Sequence, residues 1–155
     1  MFLVQGSIDH FHPKSIYPKC AYEWNNLRYC NSKANNTKDN SEFVLDPFSV
    51  GDDWFHLLFP SCQVTPNPNL AKIDRYKVRQ SIDILHLNSD DDFVQQRSDF
   101  CVSYADGDAD FDRLQKLSPF VARELLRQGL NTPEKVANIF GRGRGPKPAR
   151  PDDIN

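Results

Sequence analysis

The side chains best suited to chemistry gather near the start of the chain. They are Ile8-Asp9-His10-Phe11-His12-Pro13-Lys14, then Trp24-Asn25-Asn26-Leu27, then Asn35-Asn36-Thr37-Lys38. Hydrolysis of a phosphodiester needs a Lewis acid to absorb the charge that develops on the phosphate, and a base to take a proton from the attacking water. A carboxylate and an amide oxygen are hard donors suited to Mg²⁺ or Mn²⁺, and an imidazole titrates near neutral pH. Neighbours on a strand point to opposite faces, so Asp9 and His10 share a site only where the strand ends or twists. Pro13 supplies such an end.

The elements that must hold these groups are marked by punctuation. Six of the eleven prolines lie at or before position 68 and none follows until 119, so the first third is expected to be loop-rich. Phe43-Val44-Leu45 and the run from Trp54 to Phe59 suit short strands, ended by Asp46-Pro47 and Pro60. From about 69 to 104 the pattern is helical, with Ile73, Tyr76, Ile82 and Leu85 on one face. Ser89 before Asp90, Asp91 and Asp92 reads as an N-cap with carboxylates in the first turn, continuing through Phe93, Val94, Arg97, Phe100 and Cys101. Ser118-Pro119 and Thr132-Pro133 predict two further helix starts, and Gly129 and Gly141 their stops. Leu114, Leu117, Val121 and Leu125 form one apolar stripe, and Val136, Ile139 and Phe140 another. His56 and His86, isolated in apolar runs, read as core or boundary residues.

The order Asp-His, Asn-Leu, Asn-x-x-Lys resembles the HNH endonuclease family, whose site is a ββα-metal fold closing around one divalent cation. The stretch IDHFHPKSIYPKCAYEWNNLRYCNSKANNTKDNSEFVLDPF is similar to the PtuB-like HNH effectors of Septu and retron anti-phage systems. In that branch a DHF-x-PKS segment, a YEW-x-N segment, an N-x-x-K helix and a VLDP strand occur in the order found here over residues 7–48. The resemblance implies Asp9 and Asn35 as metal ligands, His10 as the general base and Asn26 as the asparagine that braces the loop and keeps the base oriented. Asn25 competes for that last role; Leu27, the apolar residue that usually follows the middle asparagine, favours Asn26. Lys38, one helical turn after Asn35, is expected to meet substrate phosphate, with Lys14 and His12 as further substrate contacts. The cofactor implied is one Mg²⁺ or Mn²⁺. No structural zinc is expected, because Lys33 and Ala34 stand where a partner for Cys30 would be needed.

The expected fold class is α+β: a small ββα-metal HNH core over 1–60, then short strands and an α-helical C-terminal extension over 61–141 packed on that core. A flexible basic tail is expected over 142–155. The implied activity is metal-dependent cleavage or nicking of DNA by the effector subunit of a bacterial anti-phage system. Its implied partners are DNA and an ATPase subunit of the PtuA type, and a homo-oligomer is left open. The alternative is a non-catalytic HNH-like subunit that binds nucleic acid or a partner protein.

Composition bounds these readings. A chain of 155 residues with 39% hydrophobic and 26% charged residues suits one globular domain rather than disorder or a fibrous repeat. The net charge of -2 excludes a purely electrostatic nucleic-acid binder. That average hides five bases against eleven acids over residues 51–110 and nine against five over 111–155. No run approaches the roughly 20 apolar residues of a membrane span, and MFLVQGS lacks the basic and apolar regions of a secretory leader, so a cytoplasmic location without membrane attachment is expected. The four cysteines form no CxxC pair and read as reduced structural thiols. Asp106, Asp108, Asp110 and Asp112 alternate like a calcium loop, but Phe111 replaces the required glycine and Leu117 the bidentate glutamate. A solvated acidic loop is the expectation there.

Overall fold

The computed structural model describes residues 6–141, so the expected tail over 142–155 lies outside the described residues. The described chain is mixed α+β, with six α-helices and two two-stranded antiparallel sheets. Strand β1 (Gly6–His10) pairs with β2 (Leu27–Asn31), setting Asp9 opposite Arg28 and Ile8 opposite Tyr29. The two-residue period puts Asp9 and Arg28 on the buried face, and leaves Ile8 and Tyr29 exposed. The exposed Tyr29 ring lies over Gly6, where an added Cβ would push it aside. Helix α1 (Ser32–Lys38) follows β2 directly and packs against both strands. Asn31 starts it by accepting from the Lys33 and Ala34 amides, which satisfies two of the free donors of the first turn.

The chain divides into two compact units. One comprises the described residues up to Leu58 together with Gln63–Val94; the other comprises Phe59–Cys62 and the described residues from Gln95. This differs from a boundary at 60. Strand β4 (Gln63–Pro66) belongs with the first unit because it pairs with β3 (Phe55–Leu58), and helix α2 (Lys72–Ile84) belongs there because it packs on β4. Asn88, after α2, reinforces this by holding Val64 through both its amide and its carbonyl.

The expected strand at 43–45 does not form. Val44 is buried, but the Leu45 amide donates to the Ser81 hydroxyl of α2 instead of to a neighbouring strand. The buried face of α2 is Val78, Ser81 and Ile82, while Ile73 and Tyr76 are exposed, so the inward face is rotated from the apolar stripe expected from sequence. His56 in β3 lies at the boundary between interior and solvent as expected, whereas His86, expected in the core or at its boundary, is exposed at a turn with a positive φ of 54°.

Helix α3 (Asp91–Asp106) starts one step later than Ser89 implies, with the Asp90 carboxylate taking the Asp92 amide. In the second unit α3 is followed by α4 (Phe111–Leu117), α5 (Pro119–Arg127) and α6 (Pro133–Ile139). Their core is Cys101, Tyr104, Leu114, Val121, Leu125 and Val136; Leu117 and Ile139, expected in the same stripes, are exposed. Asp110 caps α4 through the Arg113 amide at 2.7 Å, a defined role for one member of the acidic loop. Thr132 caps α6 as expected; Ser118 makes no side-chain cap bond, and Pro119 alone marks the start of α5. Gly129 and Gly141 end their helices at φ of 70° and 67°, where a Cβ would be strained. No helix of the described residues is long and apolar enough to cross a membrane.

Candidate functional site

Strand β1 ends at His10, and that ending lets Asp9 and His10 border one polar cleft of about 300 Å³ despite their alternation. Asn35 borders it from α1, and Lys14 from the loop after β1. Asp39 and Asn40, which sequence reasoning did not single out, complete its rim. Asp39 follows the last residue of α1 with φ at 44°, in the left-handed region that a non-glycine residue rarely occupies.

His10 is held by its Nε2, 3.0 Å from the Ala21 carbonyl oxygen. A carbonyl only accepts, so this bond puts the proton on Nε2 and leaves Nδ1 as the lone-pair nitrogen of the neutral ring. The same logic fixes Asn35. Its Nδ2 donates to Ser7 Oγ at 3.0 Å and to the Ile8 carbonyl at 3.4 Å, which identifies Oδ1 as the acceptor end.

Asn26 supplies the brace. It is buried, its Oδ1 accepts from the His12 amide at 2.7 Å, and its Nδ2 donates to the His12 carbonyl at 3.0 Å and the Cys20 carbonyl at 3.1 Å. These bonds tie both ends of the loop between β1 and β2, and Ala21, the residue that holds His10, follows Cys20 directly. Asn25 lends only a backbone carbonyl, to Arg28. The His12 ring is stacked edge-on against Phe11 and Tyr17 and does not border the cleft.

Lys38 is placed differently from the expected phosphate contact. It is 5% exposed, its ammonium lying 3.1 Å from Asp9 Oδ1 and 3.2 Å from the His10 carbonyl oxygen. As the last residue of a seven-residue helix, it is brought back over the end of β1 rather than outward. Behind this pair lies an apolar cavity of about 200 Å³, bordered by Phe11, Val44, Leu45, Phe55 and Leu85.

Sequence reasoning missed the clamp that carries this wall. Arg28, opposite Asp9 in the sheet, makes a bidentate pair with Asp46 at 2.8 and 2.7 Å. Its remaining nitrogen donates to the Asn25 and Leu27 carbonyls. Phe48 stacks with its ring centre 3.9 Å from the guanidinium carbon. Hydrogen bonding to Arg28 holds the Asp46 carboxyl below the usual carboxylate range, and the same bonds raise Arg28. A signal was present: an arginine on the inward face of an amphipathic strand needs an acid, and Asp46 stands close to the buried Val44. Burial, with the nearby Asp9 charge second, pushes the Cys30 thiol up. Among the described residues no group of three His, Cys, Asp or Glu side chains converges as a metal-binding cluster. The donor pair that the resemblance implies, Asp9 and Asn35, is one carboxylate and one amide, and both border the cleft.

Comparison of the chain with protein-family models, curated proteins and solved structures yields no significant match.

Proposed function

We propose that the chain is a metal-dependent HNH endonuclease with a ββα-metal core formed by β1, β2 and α1, hydrolysing DNA phosphodiester bonds. One observation carries this: Asp9, His10 and Asn35, the three residues whose chemistry the reaction needs, border a single polar cleft, and the ring of His10 is held so that Nδ1 is the basic nitrogen. The donor set fits a hard divalent cation, being a carboxylate and an amide whose oxygen is its acceptor end. A bound Mg²⁺ or Mn²⁺ would supply Lewis acidity toward the phosphate. His10 accepts the proton of the attacking water, Asn26 keeps the loop that fixes His10 in shape, and Lys14 at the rim attracts the phosphate chain. Service as the effector of an anti-phage system, with DNA and a PtuA-type ATPase as partners, rests on the resemblance of residues 7–48. No GxxxxGK[ST] occurs in this sequence to bind ATP.

The experiment is plasmid nicking by purified protein with Mg²⁺ or Mn²⁺. We expect nicking that EDTA abolishes and that Asp9→Ala and Asn35→Ala each reduce severely. Nicking that survives EDTA and both substitutions contradicts the assignment.

A second reading, a non-catalytic HNH-like subunit that binds nucleic acid or a partner, is favoured by one observation. The carboxylate of Asp9 already has an intramolecular cation, Lys38. A folded protein that binds DNA but never nicks it, with either metal and with the partner ATPase present, selects this alternative.

A further inference from the structure

Asp9 does not face the cleft as an unpaired carboxylate. Lys38 Nζ lies 3.1 Å from Asp9 Oδ1, and the two side chains are among the few charged groups buried in the described chain, Lys38 at 5% exposure and Asp9 at 7%. Their meeting follows from the local fold. Asp9 is the penultimate residue of β1, and α1 ends with Asn35 and Lys38 one turn apart, both turned toward that strand end. Asp39 and Lys14 on the rim offset each other, so with Asp9 neutralised from behind the cleft holds no surplus negative charge.

We infer that Lys38 is a resident counter-ion that keeps Asp9 closed to divalent metal, so that the carboxylate takes a metal ion only when the ammonium withdraws; this rests on Asp9 and Asn35 being the metal donors. A unit positive charge about 4 Å from a divalent ion weakens its binding by about thirtyfold even at the dielectric constant of water. In a partly buried cleft the opposition is greater. The site is therefore held in a weak-binding state by one of its own side chains, filled by saturating metal and opened at lower metal by whatever draws Lys38 off Asp9.

Manganese paramagnetic resonance, which reads free Mn²⁺ directly, tests this on the full chain. Lys38→Gln is expected to bind Mn²⁺ about tenfold or more tightly than wild type, Lys38→Arg to stay as weak as wild type, and Asp9→Asn to cancel the gain in the Lys38→Gln background. Equal binding in Lys38→Gln overturns the inference. Weaker binding overturns it too, and shows an ammonium that orients the carboxylate for metal. Binding in none of the variants, or binding untouched by Asp9→Asn, overturns the metal-donor assignment instead. Lys38→Gln leaves a buried carboxylate unpaired and is expected to be less stable without metal. If it fails to fold alone, added Mn²⁺ must restore a cooperative melt, and no such rescue overturns the inference equally.

Discussion

The two units of the molecule fill their interiors differently. In the first, the buried polar side chains are Asp9, Asn26, Arg28, Lys38, Asn67 and Ser81, set against Val44, Leu57, Val64, Val78 and Ile82. In the second, Glu124 is the buried polar side chain among the described residues, paired with Arg127 at 2.7 Å, and the rest of the interior is apolar, Cys62 and the buried residues from Cys101 to Ala137. Apolar contacts are non-directional, so the second unit is specified by helix faces and caps. Ion pairs and amide clasps fix particular atoms, so the first unit gives up apolar burial to hold His10, Asp9 and Asn35 in register. A partly polar interior is weak evidence for stability, but removing one partner from it is severe.

Perturbing one unit at a time tests that contrast. The largest effect is expected from Asp46→Ala, which strands Arg28 inside the first unit and costs about 3–5 kcal/mol. Urea unfolding reads the loss, and hydrogen exchange should localise it to β1, β2 and α1 while α5 keeps its protection. Loss of protection spread evenly through both units would show that Asp46 does not act within the first unit alone. Leu125→Ala is the counterpart in the second unit, expected to cost about 3 kcal/mol as a fully buried leucine and to leave the exchange of β1 and β2 unchanged.

Acid sharpens the same point. The folded Asp46 carboxyl is depressed by Arg28, so its stabilising contribution is complete above the ordinary carboxylate range and is lost as pH falls through the depressed folded value. Wild type should therefore lose stability below about pH 4, and Asp46→Asn should show a shallower acid slope in pH-dependent melts. The smallest effect is expected at a cap: Asp110→Ala removes the bond to the Arg113 amide and lowers stability by about 1 kcal/mol, confined to the second unit.

Local signals were legible where the chain's own neighbours decide the outcome. Pro119, the Thr132-Pro133 start and the stops at Gly129 and Gly141 depend on a few adjacent residues, and all mark real helix ends. The end of β1 before Pro13, which lets Asp9 and His10 share a cleft, was equally local. Contacts between distant positions were not legible. Asp9 and Lys38 are 29 residues apart, and a lysine one turn after Asn35 looks exposed until the helix is laid across the strand end. Ser81 is polar and therefore invisible to hydrophobic periodicity, yet it is buried because the Leu45 amide needs an acceptor. That bond joins the irregular segment at 43–45 to the buried face of α2.

His10, held by the Ala21 carbonyl, is the residue we propose as the base of a metal-dependent nuclease. The most direct measurement is the plasmid-nicking rate of His10→Ala beside wild type at saturating Mn²⁺, with circular dichroism confirming that both are folded. A base at this position predicts a rate lower by about 10²–10⁴ with the melting profile retained. Equal nicking by the two folded proteins contradicts it.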